Sequence, residues 1–248
     1  MKQDVNKPMM LIIPDVHGRT FWRKAVESYP DLPTVFLGDY LDPYTHYDGI
    51  LQSEAFLEFK EILKFKRQNK ERVTLLLGNH DIHYFGAKLN SSRKDWMNQE
   101  EIESLFVNNL SLFKLTKLIR VGDKQYLLSH AGIIPEWLEW HFEGVDLSNT
   151  EQVSKLLNDK LNDVETFRQF VSSALMDRSA SRWGHARYPS IVWADVEDHQ
   201  YQQRRLPNVY QIFGHTQQEF EPVITEQYAN LDCRKAFLLI EDGEIIAV

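Results

Sequence analysis

Five short apolar segments, each ending in aspartate, asparagine or histidine, constrain the fold of this chain more than any other feature. The segments are MMLIIP (9–14), TVFLG (34–38), VTLLLG (73–78), YLLS (126–129) and YQIFG (210–214). Their length and apolar character predict buried β-strands. The polar residues that follow them are Asp15-Val16-His17, Asp39, Asn79-His80-Asp81, His130 and His215.

The first hundred residues alternate strands with helices. TFWRKAVESYP (20–30) has helical spacing, and an apolar stripe runs along a second helix from Ser53 to Lys70. This order predicts parallel strands with helices outside the sheet. Further along the chain, TKLIRVGDKQYLLSH (116–130) and FLLIEDGEIIAV (237–248) are typical of antiparallel hairpins. The expected fold class is therefore α/β, with two packed mixed sheets flanked by helices.

Domain organisation is expected to be simple. With 248 residues, 43% of them hydrophobic, the chain can bury a substantial core. No Pro/Gly/Ser-rich linker marks a boundary, so we expect residues 1–248 to form a single domain. Residues 136–187 are mainly helical in character, and we expect them to form a cap-like segment or the wall of a cleft.

Charge and cysteine content exclude several classes of protein. The formal net charge of −8 argues against broad binding of nucleic acid or of an anionic membrane, so neither is an expected partner. The single cysteine, Cys233, cannot form an intrachain disulfide, and Cys-rich zinc modules are excluded. The apolar run near the N-terminus is too short for a signal peptide or a membrane span. We expect a cytoplasmic enzyme or binding protein.

The five polar endings are expected to converge on one site. In open α/β sheets the functional crevice lies outside the carboxyl ends of the strands. A strand-end aspartate taken alone is more often a turn or a helix cap, but here the same ending recurs five times. The candidate metal ligands are Asp15, His17, Asp39, Asn79, His130 and His215.

The chemistry of these six side chains indicates a pair of metal ions. Carboxylate and imidazole together suit Mn²⁺, Fe or Zn²⁺ and need no thiolate. Six protein ligands are too many for one catalytic ion that must keep open positions, whereas two ions can share a bridging carboxylate. We assign Asp15 and His17 to the first ion and Asp39 to the bridge. Asn79, His130 and His215 are assigned to the second ion.

The motifs that carry these residues resemble those of the calcineurin-like metallophosphoesterases. DVHG (15–18), GDYLD (38–42), GNHD (78–81), SHAG (129–132) and FGHT (213–216) occur in this order. They are most similar to the bacterial and phage branch of the phosphoprotein phosphatases, whose Trp-Ser-Asp segment resembles WAD at 193–195. The resemblance implies a β-sandwich flanked by helices, a dinuclear metal centre, most readily of Mn²⁺, and phosphoester hydrolysis. Its ligand pattern falls on the six residues named above.

His80 and Asp42 are the candidate catalytic pair. His80 follows Asn79, so its imidazole can face the substrate and protonate the leaving alkoxide, while Asp42 is placed to orient it; this pair is also the family's arrangement. The alternatives are a structural hydrogen bond for His80 and a turn carboxylate for Asp42. The nucleophile is expected to be a hydroxide bridging the two ions, which attacks phosphorus in line without a phosphoenzyme.

One departure from the family pattern concerns the substrate phosphate. The phosphoprotein phosphatases typically have Asp-Arg-Gly where this chain has Asp42-Pro43-Tyr44, and that arginine normally helps clamp the phosphate. Arg182 or Arg187 is a candidate replacement, because arginine forks match phosphate oxygens. A solvated basic loop is the alternative for both.

Four other polar residues near the motifs are given lesser roles. Asp81 and Asp195 are expected to be hydrogen-bond partners of the site rather than metal ligands. His46 and His83 lie near the motif loops and could line the cleft, but we expect them to be exposed loop histidines.

Three functions remain open at this point. The leading one is a phosphatase that acts on a phosphoprotein or a small phosphomonoester. The second is hydrolysis of a phosphodiester or a dinucleoside polyphosphate, which would use the same metal ligands. The third is a non-catalytic scaffold, which should have lost ligands or the general acid, whereas this chain retains each of them. The physiological substrate and the oligomeric state are not predicted.

Overall fold

The computed structural model of the protein describes residues 7–86, 93–202 and 204–248. The strands in these residues are β1 (Pro8–Ile13), β2 (Thr34–Phe36), β3 (Val73–Leu76), β4 (Phe113–Lys114), β5 (Thr116–Val121), β6 (Lys124–Ser129), β7 (Tyr210–Phe213), β8 (Val223–Ile224), β9 (Tyr228–Asn230), β10 (Phe237–Ile240) and β11 (Ile245–Ala247). The α-helices are α1 (Phe21–Ser28), α2 (Thr45–Asp48), α3 (Gln52–Gln68), α4 (Asn79–Ile82), α5 (Gln99–Asn108), α6 (Pro135–His141), α7 (Thr150–Asn158), α8 (Val164–Phe170) and α9 (Val196–Tyr201).

The strands form two mixed sheets, which confirms the expected fold class. The first sheet has the order β11-β10-β1-β2-β3-β4, and the second has the order β5-β6-β7-β9-β8. Strands β1 to β4 run parallel, whereas β10 joins β1 antiparallel. In the second sheet, β6, β7 and β9 are parallel. Both predicted hairpins form, as the β5–β6 and β10–β11 pairs.

The strand sequences explain how the sheets pack. Successive side chains of a strand point to opposite faces, so a strand that is buried on both faces contributes to two apolar layers. In β1, Ile12 lies in the layer between the two sheets, with Leu128 and Ile212 of the second sheet. Leu11 and Ile13 lie in the layer on the opposite face, which also contains the apolar residues of helix α3.

The segment at 136–187 contains α7, α8 and most of α6. Short 3₁₀ turns at Asp159–Leu161 and Ala180–Arg182 and a π-helical stretch at Val171–Leu175 complete it. Its role as a cap within a single domain stays a prediction. No helix in the part of the chain that the structure describes is long and apolar enough to cross a membrane.

Candidate metal centre and active site

The structure brings all six candidate ligands to one place, at the carboxyl ends of β1, β2, β3, β6 and β7. Each of the six is at most 8% exposed. His17, Asp39 and His215 have positive φ angles of 46°, 53° and 69°. Residues other than glycine adopt this left-handed conformation only at an energetic cost, and such residues tend to cluster at functional sites. The turns after these strands are therefore strained, and they bring the three side chains into one cluster.

Two overlapping groups of side chains in the described residues could hold a metal ion. One consists of Asp39, His130 and His215, and the other of Asp15, His17 and Asp39. Within each group the candidate ligand atoms lie within 4.8 Å of one another. Asp39 belongs to both groups, as expected of a bridging carboxylate.

Asn79 belongs with the first group. Its Oδ1 atom lies 2.9 Å from Nε2 of His130 and 2.9 Å from Nδ1 of His215, and these two nitrogens are 3.2 Å apart. Nε2 of His130 is 3.6 Å from Oδ2 of Asp39. Donor atoms about 2.1 Å from one ion are about 3.0 Å apart in octahedral and about 3.4 Å apart in tetrahedral geometry. The observed spacings match that range.

The hydrogen bonds made by Nδ1 of His130 and of His17 indicate whether Nε2 of each ring can bind a cation. Nδ1 of His130 donates to the carbonyl oxygen of Leu37 (2.9 Å), and Nδ1 of His17 donates to that of Leu41 (2.7 Å). In the neutral ring, Nε2 then carries a lone pair. The lone pair of His130 faces the acceptor oxygen of Asn79, so two acceptors oppose each other. A cation between them resolves this conflict, and backbone carbonyls commonly hold metal-binding histidines in this way.

Burial controls the protonation of the cluster. It lowers the pKa values of His17 and His215, which favours the neutral imidazoles that bind metal. Burial and the neighbouring charge of Asp39 raise the pKa of Asp15. Burial also acts to raise the pKa of Asp39, but electrostatic attraction to His130 and the neighbouring imidazoles holds it below its usual value. The bridging candidate therefore stays ionised.

Asp81 fixes the turn that carries Asp39. Its carboxylate accepts hydrogen bonds from the backbone N–H groups of Gly78 (2.8 Å), Asp39 (2.8 Å) and Tyr40 (3.1 Å). These bonds join the end of β2 to the end of β3, so the position of Asp39 depends on Asp81. The structure thus gives Asp81 the hydrogen-bonding role expected of it.

His80 and Asp42 form the expected pair. Nδ1 of His80 lies 2.7 Å from Oδ2 of Asp42, whose Oδ1 accepts from the hydroxyl of Tyr84 at 2.9 Å. Burial acts to raise the pKa of Asp42, but the hydrogen bonds from His80 and Tyr84 lower it. The side chain of His80 is 13% exposed while that of Asp42 is fully buried. Asp42 therefore fixes the Nδ1 side of the imidazole, and part of the ring is exposed to solvent.

Arg93 lies beside His80 and Asp42, and the sequence motifs did not predict it. Its Nη2 atom is 2.8 Å from Nε2 of His80, and Nη1 donates to the carbonyl oxygen of Asp42 at 2.8 Å. The guanidinium also lies over the ring of Tyr44, 3.6 Å from its centroid. No motif contains Arg93; the only available signal was a basic pair, Arg93-Lys94, shortly after the third motif.

The two arginines proposed from the sequence lie in different places. Nε of Arg182 donates to Asp195 (2.8 Å), and its Nη2 is 3.4 Å from the carbonyl oxygen of His215, at the rim of the site. Arg187 is exposed, lies over the ring of Tyr188 and lines a groove of about 420 Å³. No contact described for Arg187 joins it to the six candidate ligands.

The expectation that His83 is exposed was wrong. Its side chain is only 3% exposed, because the 3₁₀ turn His83–Phe85 continues helix α4 into the core. Its ring lies 5.6 Å from that of His80 and 6.3 Å from that of Trp193. Burial lowers the pKa of His83 to about 4. His46, in contrast, is exposed as expected.

Two mixed sheets with a buried carboxylate and imidazole cluster at their strand ends define a class of metal-dependent hydrolases. The family model of the calcineurin-like phosphoesterases matches residues 10–219. The chain belongs to this family.

Similarity to individual proteins is more distant. A symmetrical bis(5'-nucleosyl)-tetraphosphatase of Erwinia tasmaniensis is 32% identical over 85 residues, which are 31% of this chain and 30% of that protein. One of Buchnera aphidicola is 25% identical over 127 residues, 43% of this chain and 46% of that protein. The chain therefore matches less than half the length of these curated relatives.

A solved structure extends the similarity to almost the whole fold. It is a protein serine/threonine phosphatase from Saccharomyces cerevisiae, with a TM-score of 0.53 and 12% sequence identity. The match covers 99% of this chain and 80% of that one. At this identity the likeness concerns the fold alone, and it is consistent with the resemblance to the phosphoprotein phosphatases.

Proposed function

We propose that this protein is a metal-dependent phosphatase that hydrolyses a phosphomonoester, carried either by a protein or by a small molecule. Two divalent ions, most readily Mn²⁺, would be held by Asp15, His17, Asp39, Asn79, His130 and His215, with Asp39 shared. The opposed lone pairs of His130 and Asn79, 2.9 Å apart, carry the proposal. A cation bound to both atoms would satisfy these two acceptors.

Divalent ions bound at this cluster would acidify water and offset the negative charge of a phosphate. The chain's own residues supply the proton. Asp42 holds the Nδ1–H of His80, so Nε2 is the atom that faces the substrate. An arginine can only donate, so Nε2 accepts while Arg93 contacts it. When that contact opens, Nε2 can take up a proton from solvent. The buried carboxylate of Asp42 favours the imidazolium that forms, and Nε2 can pass this proton to a leaving oxygen.

A second candidate is hydrolysis of a dinucleoside polyphosphate. Both curated relatives carry that activity in their names. In this chain, Trp183 follows Arg182 directly and is 87% exposed, so an indole ring is available for stacking with a base near the rim of the site. This candidate uses the same six ligands and the same His80.

The proposal is tested by chelating the purified protein, reloading it with Mn²⁺ and measuring turnover of nitrophenyl phosphate, bis-nitrophenyl phosphate and diadenosine tetraphosphate in parallel. We expect the monoester to be the best substrate. Preference for the tetraphosphate would favour the second candidate, and metal binding without any turnover would favour a scaffold.

A substitution tests the assigned general acid. His80→Asn should lower turnover about 10²- to 10⁴-fold, since a positioned acid contributes that much, and should leave the bound metal unchanged. The exposed His46→Asn is the matched control and should keep full activity. A fully active His80→Asn enzyme would contradict the assignment.

A further inference from the structure

The phosphoprotein phosphatases that this chain resembles have an arginine where this chain has Pro43. Arg93 comes from a distant part of the chain to the adjacent residue: its Nη1 donates to the carbonyl oxygen of Asp42 at 2.8 Å. We propose that Arg93 is the residue that binds and positions the substrate phosphate. This inference rests on the proposed function.

The distance to His80 supports this role. Nη2 of Arg93 is 2.8 Å from Nε2 of His80, the nitrogen that faces the leaving oxygen. A phosphate oxygen bound to Nη2 would therefore lie about one hydrogen bond away from the general acid. Arg93 would therefore hold the ester bond close to the proton that His80 delivers.

Tyr44 packs against the guanidinium. The guanidinium carbon lies 3.6 Å from the centre of the Tyr44 ring, within the range of a cation–π contact. The Tyr44 ring in turn packs edge-on against the ring of His17, 5.1 Å away. Arg93 is thereby placed relative to the candidate metal ligands as well as to His80.

Among the described residues, Arg19 and Arg182 also lie near the cluster. Arg19 pairs with Asp48 (2.8 Å) and Arg182 with Asp195 (2.8 Å), so each is bound to a carboxylate. A backbone carbonyl and an imidazole are the acceptors described for Arg93 at the site, and neither carries a negative charge. A phosphate dianion adds its own charge to the hydrogen bonds and matches the arginine fork, so a phosphate can replace both.

The same geometry favours a monoester. A terminal phosphate dianion presents two unesterified oxygens to the guanidinium fork in addition to any that contact metal. A diester has one charge fewer, and its second ester group competes for the same space. Loss of Arg93 should therefore impair monoester hydrolysis more than diester hydrolysis.

The test compares Arg93→Ala and Arg93→Lys with the wild-type protein, all loaded with Mn²⁺. Arg204→Ala is the matched control, because Arg204 is exposed and pairs with Glu139. Calorimetry with inorganic phosphate gives the dissociation constant directly. We expect Arg93→Ala to weaken phosphate binding about 10- to 100-fold, as for loss of a charge-assisted hydrogen bond, and to raise the KM for nitrophenyl phosphate similarly. Arg93→Lys should recover part of both losses.

Two further measurements separate substrate binding from a structural role. Added guanidinium should restore monoester turnover to Arg93→Ala, and the metal content should stay at the wild-type value. Unchanged phosphate affinity in Arg93→Ala, or in Arg93→Lys if the alanine variant does not fold, would overturn the inference while leaving the phosphatase activity intact. Absence of turnover in the loaded wild-type protein would instead overturn the proposed function, and the phosphate titration would still report on Arg93.

Discussion

Asp81→Asn replaces one oxygen of a buried carboxylate by an amide group and leaves the shape of the side chain almost unchanged. Oδ2 of Asp81 accepts from the backbone N–H groups of Gly78 and Asp39, and Oδ1 accepts from that of Tyr40. An asparagine can place its side-chain oxygen where Oδ2 lies and keep the bonds from Gly78 and Asp39. Its amide group must then face the N–H of Tyr40, where a donor meets a donor.

The expected loss of stability follows from these contacts. The unpaired N–H of Tyr40 costs about 1–3 kcal/mol, and the two bonds that remain each lose about 1 kcal/mol when their acceptor becomes neutral. Burial and the charge of Asp39 raise the pKa of Asp81, so removal of its charge offsets part of this cost. We expect a net loss of about 2 kcal/mol in the free energy of unfolding.

Urea unfolding of the metal-free protein near neutral pH measures this loss. Asp123→Asn, in the exposed turn between β5 and β6, is the matched control and should change the free energy by less than about 0.5 kcal/mol. Because Asp81 holds the turn of Asp39, calorimetric titration should also show Mn²⁺ affinity about 10- to 100-fold lower. A variant within about 0.5 kcal/mol of wild type, with normal Mn²⁺ affinity, would refute the role of Asp81.

Three further outcomes are expected. A Cβ added at Gly78 would clash with Oδ1 of Asp39, so Gly78→Ala should lower Mn²⁺ affinity at least about tenfold. Gly144→Ala strains a turn at a φ of 70° but meets no atom within 4 Å, and it should leave the Mn²⁺ affinity unchanged. Burial lowers the pKa of His199 from 6.5 to about 4, so the unfolded chain binds this proton more readily and stability should fall as the pH drops through that interval. The loss, on the order of 3 kcal/mol, should be smaller in His199→Phe when urea midpoints are compared across pH. Mn²⁺ at a hundredfold excess over its dissociation constant should stabilise the protein by about 2.7 kcal/mol, and a thermal midpoint that does not move would contradict metal binding at this cluster.

The strands and the donor residues were predictable because both depend on local sequence. The apolar run at 9–14 became β1 at Pro8–Ile13, and the run at 73–78 became β3 at Val73–Leu76. The run at 34–38 became the shorter β2, Thr34–Phe36, because Leu37 and Gly38 leave the strand to form the turn into Asp39. Even this difference reflects the site, since the turn gives Asp39 its positive φ angle.

The pairing of distant segments was not predictable in the same way. Nothing in the pattern of FLLIEDGEIIAV indicates that β10 pairs with β1, or that the two-residue strand β4 pairs with β3. The position of Arg93 depends on the path of the chain after the third motif, which no periodicity encodes. The burial of His83 was missed because its environment is completed by Trp193, more than a hundred residues away.

The two sheets must keep a fixed relation for the candidate site to exist. The first sheet supplies four of the donors through the ends of β1, β2 and β3, and the second supplies His130 and His215. Hydrogen bonds in the described residues join the two sheets here: the backbone N–H of His215 donates to Asp15 (3.0 Å), and Nδ1 of His130 donates to the carbonyl oxygen of Leu37 (2.9 Å).

Leu37 also belongs to the apolar layer between the sheets, so the same residue anchors the packing and orients a candidate ligand. Because side chains alternate along a strand, a slip of one residue in either sheet would turn the apolar layer outward and separate the donors. The spacing of the donors is therefore set by burial of apolar side chains beneath them. A cation that binds all of them would stabilise that packing in return, since metal binding and folding share one free energy.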